Sequence, residues 1–335
     1  MTSPPAGSPP VPTDPLGSTA CAQLGGPVGI VGLGLIGGSL GLDLQHLGLE
    51  VRGVVHRQAT AERALARGLA QQVSTDPLLL ADCALVVLAL PLDRLLEPDP
   101  ELVAALPAQA VVTDVGSVKQ PVLERWQALH PRFVASHPMA GTALAGVEAG
   151  VHQLFQARPW VATPTAGTDP AALRLVEALA GAVGAQWLCC GAADHDWAVA
   201  LISHLPVLVS SALIHTAHRQ AAADPEGQLP ALVRQLASSG FADTTRVGGG
   251  NPELGTLMAR CNQPALLQAL AGYRRSLEAL ECQLERGDWN ALQALLAESQ
   301  QLRPQFLASA QALRPGPVAV PAPPAAGGST SGPTG

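Results

Sequence analysis

Short apolar runs alternate with longer Ala/Leu-rich stretches through the first half of the chain. The runs Val28–Val31, Val51–Val55, Leu85–Leu90 and Val111–Thr113 are rich in valine and leucine. Such runs between helical stretches are typical of βαβ units, in which a parallel sheet is buried on both faces. The pattern therefore predicts an α/β, Rossmann-like N-terminal domain with a parallel sheet.

The same alternation continues past residue 150. Trp160–Thr163 and Gln186–Cys189 each predict a strand, while Asp169 and Pro170 suit the N-cap and first position of a helix between them. We expect these elements to extend the same sheet, which would end near Cys190.

From Asp194 onward the apolar positions recur at spacings of three and four. This periodicity covers residues 196–220, 229–239, 264–286 and 289–310, and it predicts helices only. Several of these helices carry few charges, which favours burial against a second copy of the chain. We expect an α/β domain at 27–192, an all-α dimerisation domain at 193–311 and a homodimer. The Pro/Ser/Gly-rich ends, 1–26 and 312–335, are expected to be disordered tails.

Composition narrows the classes of partner and compartment. A net charge of -7 without a basic run disfavours nucleic acid. Glycine and proline interrupt the uncharged stretches, so no membrane helix is expected, and the absence of Lys or Arg before Arg52 argues against a targeting signal. The six cysteines lack Cys-x-x-Cys spacing, so we expect reduced thiols, no metal site and a cytoplasmic protein.

A glycine-rich loop directly follows the first apolar run. The pattern Gly-x-Gly-x-x-Gly lets the backbone turn tightly, approach a pyrophosphate and begin a helix whose N-terminus faces the anion. An ordinary glycine turn is the alternative, but the surrounding strand and helix fall at the spacing of a dinucleotide site. The expected binding residues of this loop are Gly32, Gly34, Leu35, Ile36 and Gly37.

The second run ends in His56-Arg57 rather than in an acidic residue. An acidic side chain would repel a ribose 2′-phosphate, whereas an arginine can pair with it, so NADP is expected in preference to NAD. Thr60 can add a hydroxyl, and the alternative for all three is a solvated turn. The remaining expected cofactor-binding residues are Leu90, Pro91 and Ser117.

Two polar turns follow predicted strand ends in the first half of the chain. They carry Ser117 and His137, on the side of the sheet where open α/β folds bind ligands. Oxidation of an alcohol needs a group that takes or polarises the hydroxyl proton, so both residues are predicted to be catalytic; the alternative is that His137 caps a helix. Lys119 is the only lysine in the chain, so it has either a local role or serves as a solvated helix-end charge.

The helical half contributes further candidates. Arg246 could hold a carboxylate with two parallel hydrogen bonds, or could pair with Asp243 in a surface loop. His204, in Ser203-His204-Leu205-Pro206, interrupts an apolar helix. Adjacent residues at a helix start do not converge on one metal ion, so Asp194-His195-Asp196 is predicted to serve in N-capping.

Taken together, these motifs resemble those of the prephenate/arogenate dehydrogenases of tyrosine biosynthesis. The resemblance covers residues 28 to 300 in order, and only the tails fall outside it. It rests on Gly32-Leu33-Gly34-Leu35-Ile36-Gly37-Gly38-Ser39, Asp114-Val115-Gly116-Ser117-Val118-Lys119, His137-Pro138-Met139-Ala140-Gly141-Thr142, Ser203-His204-Leu205-Pro206 and Phe241-Ala242-Asp243-Thr244-Thr245-Arg246.

The resemblance implies hydride transfer from ring C4 of the substrate to the nicotinamide, with loss of carbon dioxide as the ring becomes aromatic. It implies that His137 hydrogen-bonds the C4 hydroxyl, that Ser117 orients that hydroxyl or the histidine, and that Arg246 holds a substrate carboxylate. The rest of the pocket would be shaped by Thr142, His204 and Asp243.

Within the family, the segment 237–255 looks most like the NADP-preferring arogenate branch. Ala143 stands where many prephenate-using members carry glutamate, and Ala242 where some members carry a basic residue, which affects the choice of substrate more than the type of reaction. On the resemblance, arogenate is the expected substrate and prephenate the alternative. Two other interpretations of the function remain. The β-hydroxyacid and 6-phosphogluconate dehydrogenases use a lysine in the helical domain, which this chain lacks, and a non-catalytic NADP sensor would not need His137, Ser117 and Arg246 together.

Overall fold

The computed structural model describes residues 24–142 and 144–311, so Ala143 and most of both predicted tails lie outside the described residues. The strands are β1 (Val28–Val31), β2 (Val51–Val54), β3 (Gln72–Ser74), β4 (Leu85–Leu88), β5 (Val111–Asp114), β6 (Phe133–Val134), β7 (Ser136–Pro138), β8 (Pro159–Ala162) and β9 (Gln186–Cys189). The helices of the N-terminal half are α1 (Leu35–His46), α2 (Gln58–Ala66), α3 (Leu92–Leu96), α4 (Pro100–Ala105), α5 (Gln120–Trp126) and α6 (Pro170–Ala182).

The first six strands form one parallel sheet in the order β3-β2-β1-β4-β5-β6. This is the strand order of a dinucleotide-binding Rossmann fold. Alternate residues along β1 and β4 enter two different apolar clusters: Ile30 and Val87 lie in one, and Val31 and Val86 in the other. The sheet is therefore buried on both faces, which explains its unbroken apolar runs and confirms the predicted fold class.

The prediction that Trp160–Thr163 and Gln186–Cys189 extend this sheet is wrong. They form β8 and β9 of a second sheet in the order β7-β8-β9, in which β7 is antiparallel to β8. The chain leaves the first sheet at Ser136, whose N–H donates to the Asp114 carboxylate at 3.1 Å. Because that side chain takes the N–H, the ladder with β5 ends and Ser136 begins a new strand.

The predicted N-terminal tail, residues 1–26, is too long at its C-terminal end. Leu24 is 1% exposed and packs in the same apolar cluster as Val28 and Ile30. Burying one leucine side chain contributes about 2 kcal/mol to the stability of this end of the chain.

The C-terminal half is helical. Its helices are α7 (Ala192–Val199), α8 (Leu205–Ala222), α9 (Leu229–Leu236), α10 (Ser239–Thr245), α11 (Pro252–Cys261), α12 (Gln263–Arg286) and α13 (Trp289–Gln311), with a 3-10 turn at Arg246–Gly249. Many of their apolar side chains are exposed in the single chain, and α9 buries none of its residues.

Ser203-His204-Leu205-Pro206 does not break its helix, contrary to the prediction. A π-helical turn, Ala200–His204, joins α7 to α8. Proline has no N–H to give to the preceding turn, and the wider π turn accommodates this within a continuous helix. The resulting run, Ala192–Ala222, is long and apolar enough by length and composition to cross a membrane, although the sequence was expected to contain no such helix. Only 22% of its most apolar window is buried in the chain.

Candidate active site

The glycine loop after β1 requires glycine at two of its three positions. Gly32 has a φ of +93°, and a Cβ on it would lie 2.3 Å from the carbonyl oxygen of Ala89. A Cβ on Gly37 would lie 1.9 Å from the carbonyl oxygen of Gly32. The loop can therefore close against the end of β4 only with glycine at these positions.

Gly34 has a different surrounding, because a Cβ built on it would meet no atom within 4 Å. It is the N-cap of α1 and no side chain caps that helix. The first-turn N–H groups, including those of the half-buried Leu35 and Ile36, are free of a capping side chain, and the helix dipole favours an anion at this end. These features fit a dinucleotide pyrophosphate.

The other predicted cofactor residues lie at neighbouring strand ends. His56 and Arg57 are exposed after β2, and Arg57 occupies the N-cap position of α2. Thr60 is half-buried in the first turn, and its N–H donates to the carbonyl of Arg57 at 2.9 Å. Leu90 and Pro91 follow β4 and lead into α3. All of these residues therefore follow β2 or β4, the two strands that flank β1 in the sheet.

Lys119 is fully buried, so the alternative of a solvated helix-end charge is wrong. Its ammonium group donates to the Asp114 carboxylate, which is also buried, and to the carbonyl of Ser136 at 2.7 Å. Burial raises the pKa of Asp114 and lowers the pKa of Lys119, while each charge opposes the other's shift. The pair fastens the end of β5 to the start of β7.

Ser117 lies between these two partners, half-buried in the turn after β5. The Asp114 carboxylate also accepts the N–H of Gly116 at 2.8 Å, which fixes the path of this turn. Across residues 24–142 and 144–311, no hydrogen bond joins Ser117 to His137. The structure thus holds the Ser117 turn in place without pairing its hydroxyl with the histidine.

His137 is half-buried in β7, opposite Val161 of β8. Its Nδ1 lies 3.0 Å from Nε2 of His195, and the two rings meet edge to face with centroids 5.2 Å apart. Burial is the main cause that lowers the pKa of His137 well below its usual value, and a positive charge on His195, Lys119 or His204 acts in the same direction. The alternative of a helix-capping histidine does not fit, because the ring contacts another side chain.

His195 and Asp196 do not cap α7, contrary to the sequence interpretation of Asp194-His195-Asp196. Gly191 is the N-cap of that helix, and no side chain caps it. Asp196 instead receives the N–H of Lys119 at 2.7 Å and that of Gln120 at 2.8 Å, at the start of α5. Its Oδ1 also lies 2.8 Å from Nδ1 of His195. The described residues include no cluster suited to a metal ion.

His204 is 1% exposed and belongs to the same group of polar side chains. Asn262 Nδ2 donates to Nδ1 of His204 at 3.1 Å and to the carbonyl oxygen of Asp196 at 2.7 Å. Burial lowers the pKa of His204 to about 4, against the opposing effect of Asp196. His204 is therefore neutral at physiological pH.

The other predicted substrate residues lie on the surface of the chain. Arg246 and Asp243 are exposed, and no salt bridge between them forms in the part of the chain that the structure describes. The turn that Arg246 begins packs on α8, where the N–H of Gly248 donates to Ser210 Oγ at 2.8 Å. Thr142 is exposed, and its hydroxyl accepts the N–H of Leu144. Within residues 24–142 and 144–311, no hydrogen bond or salt bridge links these three side chains to His137.

Sequence reasoning missed three members of the site. His195 and Asp196 lie inside an apolar helical stretch, and Asn262 separates two helices, so each was a polar residue at a position where burial is costly. The energetic cost of burying these polar side chains was the signal in the sequence that each of them needs a specific partner. The partners could not be found in the sequence, because Asp196 contacts residues 76 and 77 positions earlier.

Two family models match the chain in succession. The prephenate dehydrogenase nucleotide-binding domain matches residues 40–189, and the prephenate dehydrogenase dimerization domain matches residues 191–298. The cyclohexadienyl dehydrogenase of Zymomonas mobilis is 30% identical over 281 residues, which cover 82% of this chain and 94% of that protein. The chain belongs to the prephenate/arogenate dehydrogenase family.

Solved structures agree with this membership. Synechocystis arogenate dehydrogenase is 42% identical, with a TM-score of 0.74 and coverage of 84% of this chain and 99% of that one. The prephenate dehydrogenase of Aquifex aeolicus, in complex with hydroxyphenyl propionate and NAD+, is 28% identical, with a TM-score of 0.77 and coverage of 84% and 98%. The chain is therefore a dehydrogenase of this family, and the expected resemblance is confirmed.

Proposed function

We propose that the protein catalyses the NADP-dependent oxidative decarboxylation of L-arogenate to L-tyrosine. The observation that carries the reaction is the half-buried, neutral His137, which contacts His195 beside the turn that holds Ser117. The 42% identity with an arogenate dehydrogenase favours arogenate, whereas relatives that are prephenate or cyclohexadienyl dehydrogenases keep prephenate as the alternative.

In this proposal, His137 accepts the hydrogen bond of the C4 hydroxyl and takes its proton as the C4 hydride departs. A neutral imidazole can accept that proton, and the lowered pKa keeps it neutral across the physiological range. Ser117 orients the hydroxyl or the histidine. The bound nicotinamide supplies the hydride acceptor.

The substrate's other groups need partners on the helical side. Arg246 is proposed to bind a carboxylate, since its guanidinium is exposed and has no salt-bridge partner within residues 24–142 and 144–311. Thr142, His204 and Asp243 are proposed to shape the pocket around it. Because Asn262 donates to Nδ1 of His204, that ring presents an N–H at Nε2 and can donate to the substrate.

An assay of NADPH formation tests the reaction with arogenate and with prephenate in turn. We expect faster turnover with arogenate, measured as kcat/KM. A preference for prephenate would transfer the proposal to the alternative substrate. If NADP binds but neither compound is turned over, the chain is a cofactor sensor instead.

Arg57 is proposed to select NADP by pairing with the ribose 2′-phosphate. Its guanidinium is exposed at the end of β2, where nothing in the described chain competes for it. Arg57→Asp should lower the NADP/NAD ratio of kcat/KM by about 10- to 100-fold, because a charge-assisted pair is replaced by repulsion. The matched control is Arg174→Asp, at an exposed position of α6. An unchanged ratio in the Arg57 variant would show that Arg57 does not read the phosphate.

We also propose that the protein is a cytoplasmic homodimer. The C-terminal half matches a dimerization domain, and α9 exposes Leu229, Leu232 and Leu236 on a single chain. The apolar and largely exposed run Ala192–Ala222 is accounted for in the same way, as a surface that a second copy covers. Light scattering at micromolar concentration should give twice the chain mass of 34.2 kDa. A monomer would contradict this part of the proposal.

A further inference from the structure

We propose that His195 and Asp196 are positioning residues that fix the tautomer of His137, so that its Nε2 is left without a proton and available to the substrate. This inference rests on the proposed function for its catalytic meaning, since a hydrogen-bond acceptor is useful only if a substrate hydroxyl meets it. It concerns three side chains in a row: Asp196, His195 and His137.

The row begins at Asp196, whose ionised form the structure anchors. Its two oxygens receive the backbone N–H groups of Lys119 and Gln120, at 2.7 and 2.8 Å. Backbone N–H groups only donate, so both carboxylate oxygens act as acceptors. The third contact, from Oδ1 to Nδ1 of His195 at 2.8 Å, therefore needs a proton on that nitrogen.

The next proton position follows from the first. A neutral His195 with its proton on Nδ1 has a bare Nε2, which can only accept a hydrogen bond. The atom 3.0 Å from that Nε2 is Nδ1 of His137, so it must donate. His137 then carries its proton on Nδ1, and its Nε2 offers a lone pair.

Burial and the charge of Lys119 favour the neutral form of the His137 ring. The ammonium of Lys119, buried with Asp114 next to β7, places a positive potential on the His137 ring. A free imidazole in water prefers its proton on Nε2, which is the wrong tautomer for accepting a hydroxyl proton there. Without the row, most of the neutral His137 would therefore present an N–H where the proposed reaction needs an acceptor.

A nitrogen-15 NMR spectrum of the ¹⁵N-histidine-labelled full-length protein at neutral pH tests the tautomer directly. We expect a pyrrole-type shift for Nδ1 of His137 and a pyridine-type shift for its Nε2. His130 is an internal reference, because its Nδ1 accepts the N–H of Arg132 and its Nε2 contacts the carbonyl of Pro107, which fixes the opposite pattern. A pyridine-type Nδ1 on His137 in the unaltered protein would overturn the proposal without any variant.

Two variants separate positioning from packing. His195→Phe keeps a ring of similar size but removes both nitrogens, whereas His195→Gln keeps a carbonyl oxygen that can accept from Nδ1 of His137. We expect His195→Phe to move His137 toward the Nε2–H tautomer and to lower kcat by about 100-fold with little change in KM. His195→Gln should restore the Nδ1–H tautomer and much of kcat, while the His130 signals stay constant.

The outcomes distinguish this inference from the proposed function. An unaltered tautomer of His137 in a folded His195→Phe protein, or equal kcat values for the Phe and Gln variants, would refute the positioning role. Absence of turnover in the unaltered protein would instead refute the proposed function, and the NMR measurement would still decide the tautomer. If His195→Phe does not fold, the spectra of the unaltered and Gln proteins decide it.

Discussion

The histidine cluster, formed by the half-buried His137 and the buried His195 and His204, differs from the exposed segment 239–250 that carries Arg246. Every ring in the cluster has a named side-chain partner inside the same chain. Segment 239–250 packs on α8 through its backbone, but Arg246 itself is exposed.

This difference follows from what each region does with its polar atoms. A buried polar group that lacks a partner costs about 1–3 kcal/mol, so the cluster is stable only with its partners in place. An exposed guanidinium is already hydrated, so it needs no partner within the chain and remains free to bind a ligand. The chain thus preorganises the groups proposed for proton transfer and leaves the group proposed for substrate binding available.

The largest expected effect comes from the cluster. His137→Asn should lower kcat by about 10²- to 10⁴-fold, because the variant removes the proton acceptor, while KM for arogenate changes little. Steady-state kinetics measures both, and His46→Asn, at the exposed end of α1, is the matched control. A variant that mainly raised KM would show that His137 binds the substrate rather than accepting its proton. The histidine cluster and segment 239–250 would then not differ in role.

The exposed segment should respond differently. Arg246→Ala should raise KM by about 10- to 100-fold with kcat nearly retained, because a charge-assisted carboxylate contact would be lost from ground and transition states alike. Arg286→Ala, at the exposed end of α12, serves as the control. If KM stayed the same, Arg246 would be a surface residue without a substrate role.

A smaller effect concerns stability and pH. The pKa of His204 is about 4 in the folded chain and near 6.5 when unfolded, so the unfolded state binds more protons between these values. The free energy of unfolding should therefore decrease as the pH is lowered. Protonation of His204 should account for a loss of roughly 1–2 kcal/mol between pH 6.5 and pH 5.

Urea unfolding at the two pH values measures this loss, and His204→Gln should reduce it. His46→Gln should not, because His46 is exposed. Equal losses in the His204 variant and the unaltered protein would show that His204 is protonated as easily in the folded chain as in the unfolded one.

Much of the fold could be read from local pattern. Apolar runs located β1, β2, β4 and β5 to within two residues, and the glycine spacing located the loop where a Cβ at Gly32 or Gly37 would collide with backbone. The sheet containing β8 and β9 could not be separated from the first by pattern. Its separation depends on Ser136 donating to Asp114, a contact between residues 22 positions apart.

The sequence alone determined the division into an α/β half and a helical half and the position of the nucleotide loop. It also identified His137 as a candidate catalytic residue. Each of these depends on residues close together in the chain. Only the tertiary structure decided that Lys119 is buried with Asp114 and that Asp196, His195 and His137 stand in a row. Hydrogen bonds are short and directional, so partners 58 or 77 positions apart meet only when the whole fold brings them together.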